Sequence, residues 1–289
     1  LYINKIQKTW EKLKRRMKKT TASKLTSNTP HPTLPLSVYM ITLNNASTIE
    51  KALKSVAGWA DEVVVVDSHS TDGAIDIIGR YTKDIFQFDT TSQREKYQYA
   101  QDRCKNTWVL FIDADEWLTE DIKDEIKGLI LSGTDYDGFM VKRRNIYLGR
   151  EIKHGGWYPD HEIRLYRKDR GEWQGGIHAK VSVNGKTGRL KHHYMHTPYT
   201  NTSHQIKTVD RYSEAFANDL FTSKRRFYLF NMLLRPIYRF FRDYIFKLGF
   251  LDGVPGIIIV ASTMYYVFMK HAKLWEMEKY NEDKGDVQG

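Results

Sequence analysis

Cysteine is all but absent. Cys104 stands alone among 289 residues, so an intrachain disulfide is excluded and a reducing compartment is the simpler expectation. Long apolar runs are scarce too: VPGIIIVASTMYYVFM (254–269) is shorter than the ~20 residues a spanning helix needs and opens on Pro255 and Gly256. It is expected to insert shallowly in a membrane or to pack as a buried helix. The N-terminal segment lacks the uninterrupted apolar stretch of an export signal, so none is expected. No Gly-x-Gly-x-x-Gly and no Walker loop follows the first apolar run, which argues against dinucleotide oxidoreductases and P-loop enzymes.

Charge is present and unevenly placed. The formal net charge is +10, yet residues 1–24 carry +8 and residues 224–247 carry +6, leaving the remainder mildly acidic. Both basic segments are amphipathic. Ile6, Trp10, Leu13 and Met17 recur at helical spacing in the first; Phe227, Phe230, Leu234, Ile237, Tyr238, Phe241 and Ile245 form a broad face in the second. Basic helices with such faces suit an anionic membrane surface, where each cation near the headgroups contributes about 1 kcal/mol. Nucleic acid ranks lower, because no recognised nucleic-acid module accompanies the charge. The alternative is that these faces simply close a core.

Along the chain, TTASKLTSNTPHPTLP (20–35) reads as a linker, after which strand and helix signals alternate. Strands are expected at 36–43, 62–67, 84–88 and 108–113, with helices at 48–56, 71–81 and 92–104 between them. Near-continuous apolar strands separated by helices imply a parallel sheet, so the fold class is α/β with a Rossmann-like half. Ligands of such sheets bind beyond the carboxyl ends of the strands, which places Asn44, Asp67 and Asp113 on one rim. After Asp137, strand-like segments with Gly-rich turns predict a mixed or antiparallel extension of the sheet. The expected organisation is a basic helix (1–24), a linker (25–35), a catalytic domain (36–222), a membrane-associating helical region (223–280) and a polar tail (281–289).

The acidic stretch VLFIDADEW (109–117) is the most pointed signal. Three carboxylates within four residues repel one another unless a cation or donors lie nearby. A divalent metal gripped by Asp113 and Asp115 is one answer; acidic residues at a helix N-terminus are the other.

Taken together, TLNN (42–45), VVVDSHSTDG (64–73), FIDADE (111–116), HGGWYPD (154–160), RLYR (164–167) and IHAKV (177–181) resemble the inverting family 2 glycosyltransferases of the GT-A fold. The resemblance is nearest to the bacterial lipopolysaccharide inner-core β-1,4-glucosyltransferase (WaaE/KdtX-like) branch and runs from about Leu36 to Leu274. It implies a UDP-sugar donor, Mg²⁺ or Mn²⁺, a lipid-linked glycan acceptor and a peripheral or monotopic place on the cytoplasmic face of the inner membrane. By the same resemblance Thr42, Asn44 and Asp67 would hold base and ribose, while Arg94 and Lys96 would supply charge to the diphosphate. Asp113 and Asp115 would be the DXD pair, with His178 or His196 as a further metal or diphosphate ligand.

Asp160 is the candidate base, in a loop where Trp157 and Tyr158 can cover a sugar and a partly dry setting favours proton uptake. Its alternative is a turn residue after Pro159. Arg164 is a candidate for phosphate or acceptor, or else laces a strand surface. One departure from the pattern is Gln98, which stands where the branch carries Asn. Two rivals remain at this level: a sugar-phosphate nucleotidyltransferase, whose Gly-rich phosphate loop is missing after the first strand, and a non-catalytic membrane scaffold.

Overall fold

The four apolar runs become parallel strands. In the computed structural model, β1 (Leu34–Thr42), β2 (Ala60–Asp67), β3 (Ile85–Gln87) and β4 (Trp108–Phe111) pair in the order β3-β2-β1-β4. The structure describes residues 33–176 and 179–286. The expected basic helix (1–24), residues 25–32 of the linker, and His178 lie outside the described residues. The chain divides into two compact units, Leu1–Thr33 and Leu34–Gly289.

Alternation along the strands builds two cores. Leu36, Val38, Met40, Val63 and Val65 face one side, where α1 (Ile49–Val56) and α2 (Ala74–Ile78) bring Leu53, Val56 and Ile78. Tyr39, Val64, Val66, Val109 and Phe111 face the other, under α3 (Gln93–Asp102), with Ala100, Cys104 and Trp173. Each fully buried aliphatic side chain contributes roughly 1.5–3 kcal/mol. Cys104 is part of this packing, and burial pushes its thiol well up, away from reactivity.

Beyond β4 the sheet turns mixed. β5 (Glu116–Leu118), α4 (Glu120–Ser132), β6 (Gly138–Tyr147), β7 (Arg150–Ile152), β8 (Asp160–Arg167) and β11 (Thr187–His196) extend it in the order β4-β8-β6-β11-β5, with β7 on β6. A separate hairpin pairs β9 (Gly171–Gln174) with β10 (Lys180–Val183). The α/β class with a mixed extension is therefore as expected. The extension is mixed because β8 runs antiparallel to β4 and β6 while β11 runs parallel to β6. Side-chain alternation reports which face is buried and carries no information on strand direction.

The C-terminal part is helical: α5 (Thr202–Thr222), α6 (Leu229–Phe240), a π-helical turn at Phe241–Phe246 and α7 (Gly253–Asp286). Both α5 and α6 pack along α7. The short apolar segment of the sequence proves to be the first half of a 34-residue helix, since Pro255 in a first turn costs no hydrogen bond and the helix runs on through polar residues. Gly249–Asn281 is long and apolar enough to cross a membrane by length and composition, with a mean hydropathy of 1.5 and one third of its most apolar stretch buried. Tyr228, Phe230, Ile237, Tyr238, Phe246 and Val254 are exposed, so the aromatic face of the second basic segment does not close the core.

On α7, His271 is only 4% exposed and neither ring nitrogen has a hydrogen-bond partner. Burial, with the charges of Lys270 and Arg235, pushes its pKa down from 6.5 to about 4. A histidine depressed in the folded state contributes its full stability above pH 6.5 and loses it as the pH falls towards about 4. Each tenfold difference in proton affinity between the folded and unfolded chain is worth about 1.4 kcal/mol at most. Acid melts of the wild type should show this decline, and His271→Leu should flatten it; equal slopes would remove His271 from the account.

Candidate active site

The rim of the parallel half is built from the loops after β1 and β2. Asn44 adopts a left-handed backbone (φ 55°), which asparagine tolerates, and its Oδ1 accepts from the Thr71 N–H at 2.8 Å. Ser70 Oγ accepts from the Asn44 N–H at 2.8 Å, and Asp72 Oδ2 accepts from the Ala46 N–H at 2.8 Å. Asp67, fully buried at the end of β2, accepts from the Ser70 N–H at 2.8 Å and from the Ser70 hydroxyl. Thr42 donates to Asn45 Oδ1 at 3.1 Å. The two loops are thus stitched into one platform, and the Asp67 carboxylate is held in place by its own turn.

Arg94 is exposed and Lys96 partly so, both in the first turn of α3, which Ser92 caps by accepting from the Glu95 N–H at 3.3 Å. Gln98 points elsewhere: it donates to Asp102 at 2.8 Å and accepts from the Trp173 N–H at 3.2 Å.

After β4 the chain makes a tight acidic turn rather than a continuing strand. The Glu116 N–H donates to the Asp113 carbonyl at 3.0 Å, while Glu116 Oε2 accepts from the Asp113 N–H at 2.9 Å. Glu116 then enters β5 and is fully buried. Asp113 and Asp115 keep side chains 30% and 28% exposed at the mouth of the turn.

Arg164 compensates the buried charge. It lies in the register shift between β8 and β6, skipped by the ladder, which pairs Leu165 with Phe139 and Ile163 with Met140. Its guanidinium reaches Glu162 at 2.6 Å, Glu116 at 3.0 Å and Asp113 at 3.3 Å, and the residue is 2% exposed. Arg164 is therefore committed inside the protein to these three carboxylates, one of which, Asp113, is partly exposed. Burial pushes the Glu116 carboxyl up to about 7 against the pull of Arg164. Asp113 is pushed up by burial, with Arg164 opposing and Asp115 adding to the rise. For Asp115 burial also acts upwards, but the hydrogen bond and charge of His196 outweigh it and hold the carboxyl below its ordinary range.

Strand register brings the remaining candidates together. Asp160 opens β8 directly across from Arg143 of β6 and forms an ion pair with it, and Arg143 also reaches Glu116 at 3.5 Å. His196 ends β11 opposite Asn145 of β6 and Glu116 of β5. The His196 Nε2 lies 3.3 Å from Asp115, its Nδ1 lies 2.6 Å from Asn145 Oδ1, and Asn145 Nδ2 donates to the Trp157 carbonyl at 2.9 Å. A continuous chain of contacts thus links the acidic turn to the loop that ends in Asp160. The Trp157 ring packs edge-on against Tyr147, and Tyr158 lies near His193, their polar atoms 3.5 Å apart. The Tyr158–Pro159 peptide is cis.

Sequence reasoning missed Arg143, Asn145, Glu162 and the burial of Glu116. A signal for two of them exists: Arg143 and Asn145 continue the phase of the buried Phe139 and Val141, which flags polar groups on an inward face. Asn145→Ala should lower kcat about tenfold, with little change in the donor KM, because it frees the loop from His196; the lost buried hydrogen bonds cost roughly 1–3 kcal/mol. Steady-state kinetics and melting curves check both parts.

An α/β sheet with this rim and this acidic turn is the scaffold of a glycosyltransferase, and relatives across most of the chain carry that description. The chain belongs to glycosyl transferase family 2, whose family model matches residues 37–185. It is 27% identical over 262 residues to the lipopolysaccharide core biosynthesis glycosyltransferase LpsC of Rhizobium meliloti, covering 85% of this chain and 93% of the relative. It is 28% identical over 255 residues to an uncharacterised glycosyltransferase of Rickettsia typhi, covering 84% and 87%. Among solved structures it is similar to S. aureus TarS 1–349, at 16% identity and a TM-score of 0.43 over 84% of this chain and 91% of that one.

Proposed function

We propose that this glycosyltransferase moves a sugar, glucose from UDP-glucose, onto a lipid-linked glycan such as a lipopolysaccharide core heptose, as in the WaaE/KdtX-like branch. The supporting observation is the network that joins Asp115 through His196 and Asn145 to the loop of Asp160. Such a linkage suits a reaction in which donor and acceptor must meet in one geometry. Thr42, Asn44 and Asp67 form the uridine platform, and Arg94 and Lys96 lie toward the diphosphate.

Asp160 is the base in this reading. It takes the proton from the acceptor hydroxyl as that oxygen bonds to the anomeric carbon and the bond to the UDP oxygen breaks on the opposite face. Trp157 and Tyr158 line the acceptor side. Arg143 holds Asp160 in line, and Arg164 orients Asp113 while neutralising Glu116.

The residues fit a divalent cation. Asp113 and Asp115 offer two partly open carboxylates, the hard oxygen donors that Mg²⁺ and Mn²⁺ prefer, and such ions commonly bind one or two carboxylates plus substrate phosphates. When bound, the cation would neutralise charge on the leaving diphosphate.

The exposed aromatic face of α6 and the arginines beside it support a peripheral or monotopic enzyme on the cytoplasmic face of the inner membrane. UDP release from a panel of UDP-sugars, with lipid-linked acceptor and either Mn²⁺ or EDTA, tests the reading. One donor should turn over, EDTA should abolish turnover, and Asp115→Ala should lose it; turnover unaffected by EDTA and by the substitution would refute the metal assignment.

A further inference from the structure

The seam between α6 and α7 gathers cations with too few anions. Arg235, Arg239 and Arg242 follow one another along α6 and its π-helical extension, and Lys270 of α7 interacts electrostatically with Arg235 and Arg239. Two carboxylates are close by, and both are already engaged. Asp243 is 4% exposed and receives both arms of Arg242 at 2.7 and 2.8 Å, which leaves Arg239 3.7 Å away. Asp252, 2% exposed, accepts from the Lys153 and His154 N–H groups at 3.3 and 2.9 Å and faces the His154 ring at 3.1 Å.

Arg239 is the conspicuous remainder. Its Nε is buried without a hydrogen-bond partner. Burial and the Arg242 charge push its pKa down, and burial with the Arg235 and Arg239 charges does the same to Lys270. Cations that depress one another in a half-buried seam are a standing demand for an anion.

Two further observations say which anion. A cavity of about 160 Å³ opens beside Arg239; Arg242, Asp243 and Asp252 line it too, with Gly155, Gly156 and Trp157 of the loop leading to Asp160, while Arg235 and Lys270 lie along the seam outside its lining. The helical elements that form the seam carry an exposed apolar rim: Tyr238, Phe241, Ile245, Phe246 and Phe268 are exposed. A free soluble anion gains nothing from that rim, whereas a lipid headgroup brings acyl chains to cover it.

We propose that the α6–α7 seam is a binding site for the phosphate-bearing headgroup of an anionic membrane lipid, with Arg239, which lines the cavity, as its principal partner and Lys270 adding charge from farther along the seam. The inference deepens the membrane association proposed above and rests on that reading. It adds a defined pocket, set against the back of the catalytic loop, where a uniformly basic surface would suffice for attachment alone. Headgroup occupancy would brace Gly155–Trp157, so that the loop is ordered where the acceptor lies.

The test is co-sedimentation of the full chain with phosphatidylcholine vesicles, with and without phosphatidic acid. Arg239→Gln/Lys270→Gln is compared with Arg225→Gln/Arg226→Gln, an equal loss of charge at exposed positions outside the seam. The wild type should bind the phosphatidic acid vesicles, and the seam variant should lose about tenfold more affinity than the control pair. Equal losses would overturn the proposal in favour of diffuse electrostatic attraction. A melting temperature raised by inorganic phosphate, with no difference between the variants on vesicles, would overturn the lipid as the source of the phosphate. Should the double variant prove unstable, the single substitutions are read at matched melting temperature, each with a larger loss than either control single. Vesicle binding requires no turnover, so it stands or falls separately from the transferase reading.

Discussion

Asp160→Asn should lower kcat by about 10²–10⁴-fold, the range a positioned general base contributes, while UDP binding persists. The substitution keeps the shape of the side chain and removes its capacity to accept the acceptor's proton. Asp160 also has a structural duty as the cross-strand partner of Arg143, so loss of activity alone would be ambiguous. The two roles separate by measurement. A base predicts a fall in kcat at nearly unchanged donor KM and melting temperature, because Arg143 still lies 3.5 Å from Glu116. A purely structural partner predicts the reverse, a lower melting temperature with kcat within a few-fold of wild type, and that result would remove Asp160 from the chemistry. Arg143→Gln serves as the companion, expected to shift melting and loop order more than the chemical step.

Arg164→Met should be the most destabilising single change in the site, at about 3–5 kcal/mol, because it leaves the fully buried Glu116 carboxylate without its nearest cation. Glu116 is fully buried and Arg164 offers it a contact at 3.0 Å, with Glu162 and Asp113 sharing the same guanidinium. For a domain of this size 1 kcal/mol moves the melting temperature by roughly 2–4 °C, so a fall of about 10 °C is expected. The double variant Arg164→Met/Glu116→Gln should recover part of that loss, since removing both partners of a buried pair costs less than removing one. If the single substitution melted within about 2 °C of wild type, the network would not be carrying the charge of the acidic turn.

How much of this was legible in advance follows from the physics of each feature. The parallel half was legible because strands buried on both faces must be apolar throughout: EVVVVD and WVLFID leave few other options, and the structure places β2 and β4 on them. Rim positions followed, since a residue just beyond such a strand lies at its carboxyl end. The acidic turn was visible as a concentration of charge, but its division of labour was not. Asp113 and Asp115 open outwards while Glu116 turns in, because three residues, Glu116–Leu118, form a strand too short to announce itself and pair with β11.

The sequence by itself determined the α/β class, the strands of the parallel half, the order of the motifs and the amphipathic character of the second basic segment, because each depends on local pattern or on chemistry within a few residues. Tertiary structure alone decided that Arg164 serves Asp113, Glu116 and Glu162 and that Arg143 meets Asp160 across a ladder. It also decided that Asn145 and His196 join the acidic turn to the loop that ends in Asp160, and that Arg239 and Lys270 share a seam. These contacts set residues from distant parts of the chain side by side through strand register, a bulge and helix packing, and a one-residue slip would erase them without altering the local pattern.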